Sequence, residues 1–423
     1  MNHLTRRNFI KNGGLSLATA MLLPILTSAK SNPTLLIVSG WQDVNIGDIA
    51  HTPGLITLLK QRLPKAKLIL WKRSKSEVVE QMLAKHFPDL KVIHGRINSQ
   101  KEPLSDDLKS AFKEADFFIH GSGPSVVAAD YLDAWYQQTK KPFGIFGVTI
   151  QTIDPALKEI LKNASFIFTR ETASIQKLEE VGLKSKYIAF APDATFALDI
   201  HDDNLAKKFM ESNKLTDKEF LCVIPRLRKT PYYKIKSNNA GWSQEKIDEV
   251  DALNAKWQEL DHAKLREAMI AWVRRTKNKV VVCPEMTYQV DIMDELLIDP
   301  LPEDVKPFIV KHDYWLPDEA ASLYAKAFAV LSFECHSPII AAANGTPCFY
   351  LRQPEDTIKG QMYYDLGLGD WTFEIEQTTA SQITNRLMEI TDHYDVALKQ
   401  VKHAMAAVNK RYDATFKLMQ TKF

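Results

Sequence analysis

Ser332-Phe333-Glu334-Cys335-His336-Ser337-Pro338-Ile339-Ile340-Ala341-Ala342-Ala343-Asn344-Gly345-Thr346-Pro347-Cys348-Phe349-Tyr350-Leu351-Arg352 is the stretch on which the architecture turns. An apolar run, Phe328 to Leu331, leads into it, and a second, Cys348 to Leu351, closes it. Between the two, the punctuation is that of a short helix. Ser337 can cap, Pro338 suits the first helical position, and Gly345 with Pro347 just beyond suits the stop. The unit therefore predicts strand, loop, helix, strand. In a parallel sheet the loop leaving the carboxyl end of a strand faces the ligand crevice, so Glu334 and His336 are expected to project there.

The same alternation extends outward. Leu35 to Ser39, Leu68 to Trp71, Phe117 to Ile119, Phe143 to Val148 and Phe166 to Thr169 are short apolar, branched runs that predict buried strands. Pro53 to Arg62, Ser76 to Phe87, Ser105 to Lys113, Ser125 to Gln138 and Ala156 to Leu161 carry helical spacing between them. Strands alternating with helices predict an α/β chain with a parallel, doubly wound sheet. A second series begins at Phe220 to Ile224 and runs through Val280 to Cys283 and Phe308 to Val310 into the opening stretch. Two Rossmann-like domains facing a cleft follow from this. Their expected bounds are 30–198 and 217–379, with a polar linker at 199–216, an inserted loop at 229–262 and a helical tail at 380–423. The insertion carries Tyr232, Tyr233, Trp242 and Trp257, and long insertions in compact domains are often lids or binding loops.

Residues 1–29 read as an address. Thr5-Arg6-Arg7-Asn8-Phe9-Ile10-Lys11 has the twin-arginine form, Gly13 to Leu26 is a modest apolar stretch, and Thr27-Ser28-Ala29 offers small residues for cleavage. A twin-arginine signal peptide, export of a folded chain and a periplasmic or secreted location are expected, with no membrane span after its removal. Setting aside Arg6, Arg7 and Lys11 leaves 51 of the 54 basic side chains against 52 acidic ones. That balance gives no pull toward nucleic acid. Cys222, Cys283, Cys335 and Cys348 lie mostly in strand-like runs without metal-ligand spacing, so buried free thiols are the default.

Candidate site residues cluster at strand ends. After the first strand come Asn45, Gly47 and Asp48; a tight turn accounts for this loop about as well as an anion or sugar site does. Gly121, Ser122 and Gly123 form a second glycine turn, without the G-x-G-x-x-G pattern or a P-loop lysine. Arg170 follows another strand, where a surface salt bridge is the bland account, and Asp193 could cap a turn or meet a hydroxyl. Arg226 and Arg228 would suit a substrate carboxylate or sulfate, or form a solvated basic loop. Glu285 shares a rim with Glu334, an arrangement suited to acid and base work. A lone histidine such as His336 is more often structural than catalytic, and without clustered His and Cys spacing no metal is expected.

In this order the pieces resemble the polysaccharide pyruvyl transferase family. The matching residues are Asn45-Ile46-Gly47-Asp48; Ala115-Asp116 leading to Gly121-Ser122-Gly123; Arg170-Glu171 with Ser174, Leu178 and Gly182; Pro192-Asp193-Ala194 with Phe196; Pro225-Arg226; and Ser332-x-x-x-His336 with Gly345 and Pro347. The resemblance implies a glycosyltransferase-B-like fold and an enzyme that moves an enolpyruvyl-derived group from phosphoenolpyruvate to a sugar, making a cyclic pyruvate ketal. It places His336 and Arg226 on the donor-handling side, with the Asn45 to Asp48 loop facing the same cleft. Two departures redirect that expectation. Glu334 stands where the family has arginine, and a carboxylate there repels phosphate unless it is protonated or paired. The leader also sends the chain away from cytoplasmic phosphoenolpyruvate. The expected activity is therefore hydrolytic removal of the pyruvyl group, with Glu334 as general acid, His336 as its partner or the base for water, and Arg226 or Arg170 holding the pyruvyl carboxylate. No cofactor is expected, phosphoenolpyruvate entering only under the transferase alternative. The expected partner is a pyruvylated or other acidic polysaccharide or oligosaccharide. A non-catalytic glycan-binding protein, with Trp242 and Trp257 as platform, is the third reading.

Overall fold

The computed structural model describes residues 32–235 and 241–423, so the expected leader at 1–29 lies outside the described residues, as do positions 236–240 of the insertion. Among the described residues, thirteen strands form two wholly parallel sheets. The first has β1 (Thr34–Val38), β2 (Lys67–Trp71), β3 (Lys91–Ile93), β4 (Phe117–His120), β5 (Phe143–Val148), β6 (Phe166–Thr169) and β7 (Ile188–Phe190), in the spatial order β3-β2-β1-β4-β5-β6-β7. The second has β8 (Phe220–Ile224), β9 (Lys279–Val282), β10 (Ile309–Lys311), β11 (Ala329–Ser332), β12 (Cys348–Arg352) and β13 (Thr372–Glu374), in the order β10-β9-β8-β11-β12-β13. Central strands such as β1 and β8 are buried along their whole length, which requires helices on both faces and explains their unbroken apolar composition. Each sheet reverses direction once, between β1 and β4 and between β8 and β11. Crevices open at such switch points.

The two switch points face each other across a short seam. Ile46 N donates to Glu285 O at 2.9 Å and Thr287 N to Val44 O at 3.0 Å, tying the end of β1 to the end of β9. The helix after β1 differs from its expected form. It runs Ile46–Arg62 and starts at Asn45, whose side-chain oxygen accepts from Gly47 N at 2.7 Å and Asp48 N at 3.1 Å. Pro53 therefore sits inside the helix and Thr52 is not its cap. Tertiary packing overrides the proline signal here: a Cβ on Gly54 would stand 2.7 Å from the Ala194 carbonyl carbon, so the helix backbone lies directly on residues 194–197.

Two other expectations are corrected. Most of the expected loop 229–262 is helical, since Gln244–Thr276 is one helix of 33 residues capped by Ser243. Between Asn254 and His262 its hidden side is polar. Asn254 bonds both backbone groups of Lys229 at 2.9 Å, Asp261 pairs with Arg228, and His262 accepts from Arg226 N, so an apolar stripe is replaced by satisfied polar contacts. The expected linker 199–216 likewise holds a helix, Asp203–Asn213, capped by Asp202.

The helix Tyr394–Gln420 returns to the first sheet. Phe146 of β5 meets Tyr412 and Phe416 at ring separations of 6.2 and 5.7 Å, while Tyr394 stacks on Phe328 beside the second sheet at 4.3 Å. Burying Tyr412 and Phe416 stabilises this closure by roughly 2 kcal/mol each. All four cysteines are buried free thiols. No helix among the described residues is long and apolar enough to cross a membrane.

Candidate active site

The start of the first helix and the start of helix His336–Ala343 meet head to head. Asn45 fixes the first turn of the former, which points Asp48 and then His51, one turn on, toward the second domain. His51 Nε2 lies 3.1 Å from His336 Nε2 and 3.4 Å from Asp193 Oδ2. The approach is possible because residue 47 is glycine: a Cβ there would lie 2.5 Å from the Cβ of His336. Asp193 is oriented from behind by Arg170, whose Nη1 donates to Oδ2 at 2.7 Å and whose Nε donates to Thr149 Oγ1 at 2.8 Å. Burial opposes the charge on Asp193, but His51 and Arg170 outweigh it and hold its carboxyl well below the usual range.

On the other side of His336 stands Glu285, leaving β9. Its Oε2 accepts from Ser337 N at 2.6 Å and Ser337 Oγ at 2.8 Å, and its Oε1 lies 3.3 Å from His336 Nδ1. Helix His336–Ala343 thus begins two residues earlier than expected, with Cys335 at its cap position, and Ser337 serves Glu285 instead of capping. Gly345, with φ of +75°, ends the unit.

Glu334 borders the same cleft. Gln289 Nε2 donates to its Oε1 at 2.7 Å, and Arg226 Nε lies 3.3 Å from its Oε2. Arg226 also donates from Nη1 to Asp356 Oδ1 at 2.5 Å, and Lys359 Nζ sits 3.0 Å from the same oxygen. Burial raises the Glu334 carboxyl to about 7 against the pull of Arg226, and burial raises Glu285 to about 7 against its two bonds from Ser337. Asp356 is the opposite case, since Arg226 and Lys359 overcome its burial and keep it ionised. His336 is held neutral by burial, its pKa lowered to about 3. From the loop between β1 and the facing helix, Gln42 Nε2 bridges Asp48 and the Tyr232 hydroxyl, the latter at 3.2 Å.

The structure thus gathers Asn45, Gly47, Asp48, Asp193, Arg226, Glu285, Glu334 and His336 around one seam and leaves other expected residues outside it. Arg170 is almost wholly buried and serves Asp193, which corrects its expected role as a carboxylate clamp. Arg228 points at the long helix, with Nε and Nη2 on Asp261 at 2.9 and 3.0 Å and its guanidinium 3.9 Å above Trp257. Its donors are spent on the fold, and Trp257 with it. Gly121, Ser122 and Gly123 hold loops together: Ser122 Oγ accepts from Ala194 N at 2.9 Å, its carbonyl accepts from Trp41 Nε1 at 2.7 Å, and a Cβ on Gly121 would meet Ser39 at 2.8 Å. His51, Gln289, Asp356 and Lys359 went unrecognised in the sequence. An Asn45 cap would have placed Asp48 and His51 on one helix face, i and i+3; the other three carried no local signal.

The fold has wide company among solved structures. UDP-GlcNAc 2-epimerase from Neisseria meningitidis bound to UDP-GlcNAc aligns with a TM-score of 0.55 at 10% identity, over 91% of this chain and 99% of that one. Anabaena HepE in complex with UDP-glucose aligns at 0.54 and 13%, over 92% and 98%. The S. aureus MnaA–UDP co-structure aligns at 0.53 and 12%, over 88% and 91%. At such identities the likeness concerns the fold, a glycosyltransferase-B-like pair of parallel-sheet domains. No curated protein matches the chain. The family model for polysaccharide pyruvyl transferase matches residues 45–353, from the Asn45 cap to the residue after β12, and the chain belongs to that family.

Proposed function

We propose that this protein removes pyruvyl groups from a pyruvylated glycan by hydrolysis, outside the cytoplasm. One observation carries the reading: Arg226 is already flanked by two carboxyls, Glu334 at 3.3 Å and Asp356 at 2.5 Å. Lys359 is committed to Asp356 and Arg170 to Asp193. A phosphoenolpyruvate donor brings a phosphate and a carboxylate and would meet no uncommitted cation among these groups. A ketal brings a single carboxylate, and what its cleavage needs is a proton at the leaving oxygen.

Glu334, at the rim between Arg226 and Gln289, is the donor in this scheme. Its proton passes to one ketal oxygen as the bond from that oxygen to the ketal carbon breaks, leaving an oxocarbenium-like carbon. Water adds to that carbon while His336 takes the proton lost by the water. The hemiketal then opens, releasing pyruvate and returning both sugar hydroxyls, so one water is consumed per ketal. Asp48 and Gln42 face the sugar side. The twin-arginine-like leader supports placing this reaction in the periplasm or beyond.

Transfer from phosphoenolpyruvate is the second reading, favoured by the family match itself. The mature chain would be incubated with pyruvylated glycan alone and, separately, with bare glycan plus phosphoenolpyruvate, while pyruvate, phosphate and ketal are followed. Pyruvate release in the first tube is expected. Ketal formation with phosphate release in the second would overturn hydrolysis, and binding without turnover in both would leave a glycan-binding protein. Glu334→Gln is expected to lower turnover at least about 100-fold with the fold intact.

A further inference from the structure

We propose that His51, Asp193 and His336 form a binding site for one divalent transition-metal ion, of which zinc fits best. The three side chains come from the first helix, the segment after β7 and the helix after β11, so the site would clasp the two domains. Their ligand atoms stand 3.1 Å (His51 Nε2 to His336 Nε2), 3.4 Å (His51 Nε2 to Asp193 Oδ2) and 3.9 Å (His336 Nε2 to Asp193 Oδ2) apart. Ligands bound to zinc at about 2.0–2.1 Å in a tetrahedron are separated by about 3.4 Å. The observed edges bracket that value, and all three atoms lie within 4.8 Å of one another. Two imidazoles with one carboxylate exclude calcium and magnesium, which take oxygen.

The surroundings supply what a metal site requires behind its ligands. Glu285 Oε1, 3.3 Å from His336 Nδ1, can hold the hydrogen there and leave Nε2 bare toward the triad. Thr195 N donates to Asp193 Oδ1 at 2.9 Å, while Oδ2 accepts from Arg170 Nη1 at 2.7 Å and turns its remaining lone pair to the histidines. His51 provides the independent observation. It is fully buried, yet its Nδ1 has no hydrogen-bond partner. With His336 Nε2 bare, the hydrogen of His51 must sit on Nε2, shared toward His336 and Asp193, and Nδ1 is then a stranded lone pair. A cation displaces that hydrogen to Nδ1, which faces Asp48 Oδ1 at 3.8 Å. Arg170 opposes the added charge, while Asp193 and Asp48 favour it. His336 keeps 11% of its side chain exposed, so the fourth position opens to the cleft.

This departs from the expectation of a metal-free chain, because His51 lies in a helix interior far from any ligand motif. The site does not rest on the hydrolysis reading but competes with it for His336, because a filled triad removes the free base for water. Protein stripped with a chelator would be given zinc or cobalt(II), desalted, and analysed for metal content and visible absorption. We expect one metal per chain and the intense bands of four-coordinate cobalt. His51→Gln and Asp193→Asn should each lose at least 100-fold in affinity, and Glu285→Gln about 10- to 100-fold. Circular dichroism and urea unfolding would confirm that each variant is folded; if Asp193→Asn does not fold, His51→Gln decides. A folded wild-type chain that retains no metal, or a His51→Gln chain that retains as much as wild type, overturns the proposal. Pyruvate release is assayed separately on stripped and loaded protein, so loss of hydrolysis and loss of metal binding are distinguished.

Discussion

Replacing His262 by glutamine should change how stability depends on pH more than it changes stability near neutrality. His262 is wholly buried in the long helix, and both ring nitrogens are committed. Nδ1–H donates to the Gln258 carbonyl at 2.6 Å, and Nε2 accepts the backbone N–H of Arg226 at 3.3 Å. Protonation would turn that acceptor into a second donor aimed at an N–H. Burial correspondingly lowers the pKa from 6.5 to about 4. Because the folded value is depressed, the unfolded chain binds more protons between these values. The contribution is complete above pH 6.5 and is lost progressively as pH falls toward 4. At about pH 5 the loss is about 2 kcal/mol. The raw profile of the wild type mixes signs, since Glu171, raised to about 7 chiefly by burial, gains stability by protonation in the same range, and Glu285 and Glu334 do likewise. The difference between wild type and His262→Gln removes those shared contributions, and the glutamine amide oxygen can still accept from Arg226. Urea unfolding, followed by tryptophan fluorescence between about pH 7.5 and 5, should show wild type losing about 2 kcal/mol relative to the variant. A constant gap across that range would refute the assignment of a neutral, acceptor-bound His262.

Three further outcomes follow from single contacts. Gly47→Ala places a Cβ where His336 now packs and forces a displacement of about 1 Å, which should cost on the order of 100-fold in kcat/KM for ketal hydrolysis; unchanged kinetics would mean that the seam is not where the chemistry occurs. Arg170→Ala strands the buried Asp193 carboxylate and should destabilise the fold by about 3–5 kcal/mol in urea titration. Tyr412→Phe removes a hydroxyl that donates to the Asp193 carbonyl at 2.6 Å and should cost about 1 kcal/mol, read the same way.

The parallel sheets were legible because Ser332 to Arg352 marks its own turns: an apolar run, a proline, a left-handed glycine, another apolar run. The rim positions of Glu285 and Glu334 follow from the same logic, since each comes directly after a strand. Their partners could not be read, because Gln289, Ser337 and Arg226 reach them from separate elements. His51 was hidden by Pro53, which looks like a helix start and masks the true one at Asn45. The end of the long helix, from about Ala263 to Arg275, is legible from Leu265, Ala268, Met269, Trp272 and Val273; its first half, inside the expected loop, was hidden because Asn254, Asp261 and His262 are buried there by polar partners and interrupt the apolar period. Arg228 misled for the converse reason: an arginine at a strand end looks available until Asp261, Glu376 and Trp257 are known to surround it.

The return of helix Tyr394–Gln420 to the first sheet bears on the order of biosynthesis. While the ribosome is still translating the second domain, the side of β5 that Tyr412 and Phe416 cover has no cover, and Asp193 lacks the hydroxyl that holds its carbonyl. The first domain therefore cannot reach its final packing before Tyr412 and Phe416 have been made, although its own strands are made first. For a chain that then crosses the membrane folded, as proposed from its leader, the compartment of synthesis and not the compartment of work would decide which metal ion first meets His51, Asp193 and His336.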